Sequence, residues 1–294
     1  MEYRTVKPFI KWAGGKSQLL SEIRKKYPQK IKRYCEPFVG GGAVLLDVLI
    51  NFQPNEVLIN DINAELINLY VQIRDNVEFL IENLSRLQIL YRKMNENDKK
   101  SFYLEQRERF NFGIQTNNVP KSEMAYLFIF LNKTCFNGLY RVNKKGLFNV
   151  PIGSYIKPLV CDADNLKFVS SLLHNVNITC GDYSETAGFI DKNTFVYIDP
   201  PYRPISATAS FTSYSNIRFG DNEQISLSRF IDKISDCGAK VMASNSDPKN
   251  CDENDNFFDN IYSDYNILRV SAKRMINSKS AARGTINELL ICNY

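Results

Sequence analysis

Asp199-Pro200-Pro201-Tyr202 closes the apolar run Phe195-Val196-Tyr197-Ile198. Consecutive prolines fix φ and remove two backbone donors, so the carbonyls around them are stiffly aimed acceptors. An acid beside such carbonyls can accept both protons of an amino group. A neighbouring tyrosine ring can stack on the flat ring that bears it. Asp199, Pro200, Pro201 and Tyr202 are therefore the candidate catalytic residues. Taken alone, the four would also serve as a rigid strand exit headed by an acid.

A second constellation is Phe38-Val39-Gly40-Gly41-Gly42, with Asp61 nineteen residues beyond the last glycine. Glycines let a ligand approach the backbone, and an acid about twenty residues on, at the next strand end, suits a pair of ribose hydroxyls. The third is Pro8-Phe9-Ile10-Lys11-Trp12-Ala13-Gly14-Gly15-Lys16, which holds the only tryptophan. Gly15-Lys16-Ser17 has the tail of a phosphate-binding P-loop. That motif needs a glycine five residues before Gly15, where the chain has Ile10, and no buried strand precedes it. A nucleoside triphosphatase is disfavoured. The chain has one histidine, His174, so a multi-histidine metal site is impossible and no metal is expected. The chemistry is expected to run without imidazole, with His174 as ordinary surface or core.

The elements that must position these residues read as an α/β sheet. A short run from Arg33 to Phe38 leads into the glycines, Ala43–Ile50 is apolar enough for a buried helix, and Val57–Asp61 is strand-like and ends in an acid. Strand, glycine turn, helix, strand, acid is the opening unit of a nucleotide-binding α/β sheet. Strand signals return at Val176–Cys180, Thr194–Asp199 and Lys240–Asn245, and Ile286–Tyr294 reads as a closing strand or hairpin arm. Between the halves, apolar residues from Ala64 to Leu90 recur at helical spacing, residues 91–122 are polar, and Met124–Asn132 reads as a buried helix. Leu139–Val150 reads as a β-hairpin with Lys144-Lys145-Gly146 at its turn. Consecutive sheet elements are normally joined by short connections. Residues 64–161 are therefore read as an inserted, mainly helical domain carrying a β-hairpin, within a discontinuous domain formed by 1–63 and 162–294.

The chain of 294 residues is 44% hydrophobic and 23% charged, an ordinary globular balance, and its net charge of +5 suits a nucleic-acid partner without requiring one. The best uninterrupted apolar run, Ala125–Leu131, is far short of a membrane span. Met1-Glu2-Tyr3-Arg4 lacks the layout of a signal peptide, and seven scattered cysteines without a C-x-x-C pair suit reduced thiols. A cytoplasmic protein without membrane partners is expected.

Together, Pro8–Lys16, Glu36–Gly42, Asn60-Asp61-Ile62-Asn63 and Asp199–Tyr202 resemble the Dam-type adenine-specific DNA methyltransferases, most closely their DpnII methylase branch. Phe136–Asn143 and Phe148–Pro151 resemble the target-reading segment of members that act on GATC. Ser206–Thr212, Ser244–Ser246 and Arg283–Leu290 extend the likeness toward the C-terminus. The resemblance implies a Rossmann-like methyltransferase sheet, S-adenosylmethionine as methyl donor and double-stranded DNA as substrate, with N6 of a flipped-out adenine as acceptor. It implies that Trp12, Lys16, Phe38, Gly40, Asp61 and Asp199 hold the cofactor, and that Lys11, Phe136, Leu139, Arg141 and Asn143 contact DNA. Lys144 and Lys145 at the hairpin tip suit phosphates. A restriction endonuclease acting on the same site is an expected functional partner. An amino-group methyltransferase acting on RNA or protein, and a silent DNA-binding module, are the rival readings. The Phe136–Asn143 segment argues against the first, and intact Asp199 and Tyr202 against the second.

Overall fold

A computed structural model of the chain describes residues 6–203, 219–273 and 285–294. The matches at Ser206–Thr212 and at Arg283 and Gly284 lie outside them, as do Met1–Arg4. Seven strands, β1 (Arg33–Glu36), β2 (Glu56–Asp61), β3 (Val176–Cys180), β4 (Thr194–Ile198), β5 (Lys240–Ser246), β6 (Asn266–Lys273) and β7 (Thr285–Cys292), form one sheet in the order β3-β2-β1-β4-β5-β7-β6. The first five are parallel, and β7 runs antiparallel between β5 and β6. Ile286–Tyr294 is thus both things the sequence suggested, a closing strand and the second arm of a hairpin.

Both faces of the sheet are covered, which is why its central strands read as continuous apolar runs. Tyr34, Phe195, Tyr197, Met242 and Leu290 point into one core, with α2 (Ala43–Phe52), α3 (Ala64–Asp75) and α7 (Ala163–Leu173) packed there. Their neighbours Cys35, Val196, Ile198, Val241 and Leu289 point into the other, against α8 (Asp221–Asp236) and α9 (Phe257–Ile261). The order in which the strands are laid across the sheet reverses between β1 and β4. The crevice outside the carboxyl ends of such strands is where open α/β sheets bind ligands.

Between β2 and β3 the chain also forms α4 (Val77–Lys93), α5 (Glu96–Thr116) and α6 (Lys121–Thr134). The polar stretch after residue 91 is largely α5, begun by Asn95, whose side chain accepts from the Asp98 amide, with Glu96 and Asp98 in its first turn. This helix holds the hairpin. Asn111 both donates to the Phe148 carbonyl (3.0 Å) and accepts from the Phe148 amide (2.8 Å), and the Tyr103 hydroxyl donates to the Val150 carbonyl (2.8 Å). The hairpin arms pair through isolated bridges rather than regular strands, at Val142 with Phe148 and, further out, at Cys135 with Ile152. Gly146 takes φ +76° at the turn, the left-handed region that the lysines before it would enter only with strain. Among the described residues no helix is long and apolar enough to cross a membrane.

Asn111→Leu is expected to lower unfolding stability by about 1–3 kcal/mol, because it strands both backbone groups of Phe148. Urea midpoints of the two proteins give the measurement. Equal midpoints would show that the hairpin is held without α5.

Candidate active site

The first wall of the site is the turn after β1. Gly40 (φ +48°) and Gly42 (φ +70°) are both left-handed, and a Cβ on Gly42 would lie 2.3 Å from the Tyr70 hydroxyl. Only glycine fits there. That hydroxyl donates to the Gly40 carbonyl (3.0 Å). Asp61 faces the turn from the end of β2, and its carboxylate is pinned at both oxygens, by the amides of Gly40 (3.0 Å) and Asn63 (2.9 Å). Burial raises its pKa, and those amides pull the other way. Asn60, almost fully buried, ties three strand ends together, donating to the carbonyls of Pro37 (3.1 Å) and Gly181 (3.0 Å) and accepting from Thr179 (3.0 Å). Phe38, half-buried, stacks on Tyr183 at 5.2 Å.

The second wall is Asp199 at the end of β4. Lys16, 3% exposed, reaches across 183 positions of sequence to place its ammonium 2.6 and 2.7 Å from the two carboxylate oxygens. It also donates to the Gly14 carbonyl (2.8 Å) and lies 4.9 Å over the Tyr202 ring. Ser244 on β5 donates to Asp199 Oδ1 (3.0 Å) and is itself bonded to the Tyr197 hydroxyl (3.0 Å). The Tyr202 hydroxyl donates to Glu288 on β7. Burial raises the Glu288 carboxyl, against the pull of Lys16 and that hydrogen bond, and burial likewise holds the Tyr202 hydroxyl well above its usual range. The Pro201 carbonyl accepts from Gln224 (3.1 Å). Deeper in, burial holds Glu36 well above the usual carboxyl range although Tyr34 donates to it (2.7 Å).

Trp12 lies against the first wall. Cβ atoms on Gly40 and Gly41 would come within 2.9 and 2.7 Å of it. Beside it, exposed Lys11 is fastened by Asn132 at the end of α6, which accepts from the Lys11 amide (2.9 Å) and donates to the carbonyls of Lys11 (2.8 Å) and Gly138 (3.0 Å). This brings Lys11 against the tight turn Phe136–Gly138, where Phe136 is 52% exposed. On the hairpin, Leu139 and Arg141 are half-buried and Lys144 and Lys145 are exposed at the tip. Arg141 Nε donates to Asn149 (2.8 Å). Asn143 turns its oxygen inward, accepting from the amides of Lys145 (2.9 Å) and Leu147 (3.1 Å).

The candidate residues thus gather into two clusters joined by the segment from Lys11 to Lys16. Ser244, Gln224, Tyr70 and Asn60 have no role assigned from sequence, nor do three further residues, Glu288, Asn132 and Lys133. Glu288 is an acid directly before the apolar run Leu289-Leu290-Ile291 of the closing strand, a place that signals a buried partner. Asn132 ends an apolar helix, where an amide is equally out of place. Lys133 carries no such signal; it lines a cavity of about 260 Å³ with Lys7, Lys11, Tyr155 and Asp162. Burial, helped by Lys11, pushes its pKa down to about 8.

A doubly covered sheet with this strand order, a glycine turn and acid on adjacent strands, and an acid at the switch point define a Rossmann-like methyltransferase. The chain belongs to the family of D12 class N6 adenine-specific DNA methyltransferases, whose profile matches residues 12–276. It is 48% identical to the type II methyltransferase M.MjaIII of Methanocaldococcus jannaschii, over 98% of this chain and 99% of that one. It is 38% identical to the type II methyltransferase M1.LlaDCHI of Lactococcus lactis subsp. cremoris, over 98% and 96%. A DNA adenine methylase of Vibrio cholerae is 34% identical, over 96% and 94%.

Lys133 supplies a test of this buried positive charge. The folded chain gives up its proton near 8 and a free lysine near 10.5. The fold is therefore penalised fully below pH 8, and the penalty fades between the two values. Lys133→Met is expected to melt above the parent at pH 7, with the gap closing as pH rises toward 10. A gap that does not change with pH would show that Lys133 carries no buried charge.

Proposed function

We propose that the protein is a Dam-type, DpnII-branch enzyme that transfers a methyl group from S-adenosylmethionine to N6 of an adenine flipped out of duplex DNA, in 5′-GATC. The observation that carries the reading is the joining of two clusters at one switch point: the Gly40–Asp61 turn, and Asp199 with Lys16 and Tyr202. The residues suit the cofactor. Asp61 offers a fixed carboxylate to ribose hydroxyls, and exposed Ile62 beside it offers an apolar surface to a flat base. S-adenosylmethionine supplies an activated methyl on a sulfonium, so what the protein must add is alignment.

Asp199 and the Pro200 carbonyl accept hydrogen bonds from the two N–H groups of the adenine amino group and favour a freer nitrogen lone pair for in-line attack, one of the two protons leaving the nitrogen once it is methylated. Tyr202 stacks on the extruded base, worth about 1–3 kcal/mol, against a flipping cost of a few kcal/mol. Phe136, exposed beside Lys11, fills the space the base leaves or wedges between steps. Arg141, its Nε anchored by Asn149, directs its guanidinium at a guanine edge, while Lys144 and Lys145 meet phosphates. The insertion 64–161 is the target-recognition domain on this reading. The names of the two type II relatives support a restriction endonuclease acting on the same site, and cysteines all free suit a cytoplasmic setting.

Asp199→Asn, which keeps an acceptor for the buried Lys16, is expected to lose about 100-fold or more in turnover with duplex affinity unchanged. Single-turnover methylation and a binding titration measure the two. Turnover above a tenth of the parent's overturns the catalytic assignment.

Arg141→Ala is expected to lose about 1–3 kcal/mol of discrimination at one guanine and to methylate near-cognate sites. Lys145→Ala is expected to weaken binding about equally on all sequences and to flatten its salt dependence. Methylation rates on duplexes carrying each single-base change of GATC separate the two. A uniform slowing by Arg141→Ala would make Arg141 a backbone contact.

A further inference from the structure

Tyr140 sits in the hairpin arm one residue before Arg141 and is 8% exposed. Its ring stacks on Phe128 at 5.0 Å and 13° and on Trp12 at 5.7 Å and 26°, and Trp12 lies 6.5 Å from Phe128 in the same stack. Trp12 is the side chain laid against Gly40 and Gly41. The Asn63 side chain lies beside the Tyr140 hydroxyl and lowers its pKa against the effect of burial, and Asn63 is the residue whose amide pins Asp61 and whose oxygen caps α3 by accepting from Leu66 (3.0 Å). One hairpin residue therefore touches both supports of the glycine–acid turn. Its ring bears on the glycines through Trp12, and its hydroxyl on the acid through Asn63.

We propose that Tyr140 is a positioning residue that couples occupancy of the cofactor pocket to engagement of DNA by the hairpin. The inference rests on the function proposed above. A packed stack of three rings has few arrangements, so it does not yield smoothly when one member is moved. Seating Arg141 on a base fixes the backbone of Tyr140, hence the stack, hence the placement of Trp12 over the glycine turn. A ligand in the pocket fixes the same stack from the other end. Whichever ligand arrives first selects one arrangement of the stack, and the second binds tighter by the free energy already spent on that selection. Linkage requires the effect to be reciprocal. Because the gain depends on seating Arg141, a duplex with the wrong sequence forfeits it.

Trp12, as the only tryptophan, reports the stack directly by its fluorescence. The dissociation constant of S-adenosylhomocysteine, which cannot transfer a methyl group, is measured alone and with a saturating GATC duplex, on the parent, Tyr140→Phe, Tyr140→Leu and Tyr140→Met. The duplex is expected to tighten S-adenosylhomocysteine about tenfold on the parent, within the usual range of coupling. Tyr140→Phe keeps the stack and is expected to retain about threefold or more. Tyr140→Leu and Tyr140→Met fill the space without a flat ring; their ratio is expected to fall below about twofold, with affinity in the absence of duplex within about threefold of the parent. A parent that binds both ligands with a ratio of one, or either aliphatic variant with the parent's ratio, overturns the coupling alone. A parent that binds no S-adenosylhomocysteine or no duplex overturns the functional reading and the coupling with it.

Discussion

The ion pair between Lys16 and Asp199 is the contact on which the rest of the site depends. An ammonium this deeply buried must meet its counter-charge or the fold bears a penalty of several kcal/mol. The pair contributes little net stability, since desolvation offsets most of the attraction. What it fixes is place. With Lys16 tied to the end of β4, the preceding residues are drawn across the open ends of the strands. Trp12 is then laid against the glycine turn, and Lys11 is brought within reach of Asn132. A segment with no strand of its own thus becomes the roof of the crevice.

The helical insertion uses that roof as a common wall. Phe128 on α6, Tyr140 on the hairpin and Trp12 stack together, so the apolar core passes without a break from the sheet into the insertion. The polar helix α5 contributes little to this core, yet it fastens the second hairpin arm through Asn111 and Tyr103. Its hydrophilic sequence suits a brace, wet on one side and hydrogen-bonded on the other.

Much of this was legible in the sequence, and what was not has identifiable causes. The strands β2, β4 and β5 announce themselves by the largely buried apolar runs Val57–Ile59, Phe195–Ile198 and Val241–Ala243, and the edge strand β3 by its β-branched Val176, Ile178 and Thr179. The strand β6 does not, since Asn266, Arg269 and Ser271 suit an edge open to water. Helix α5 buries only Tyr103, Phe110 and Gly113, too few to raise a periodic signal. At the site, residue types and short spacings pointed to Asp61, Asp199 and Tyr202, but no local rule links Lys16 to a carboxylate 183 positions away. Regular alternation along a strand would set Arg141 and Asn143 on one face. The loop nonetheless draws the Asn143 oxygen inward, as asparagines at turns commonly do.

The insertion of β7 between β5 and β6 has a consequence for synthesis on the ribosome. The strand arrives after both of its neighbours, so until residues 285–292 have left the exit tunnel, β5 and β6 cannot be joined and each presents an unpaired edge. Glu288 arrives on that same strand, so Tyr202 lacks its carboxylate partner for as long as the gap is open. Vectorial folding therefore completes the sheet and the second wall of the crevice in a single event, and a nascent chain short of β7 has neither.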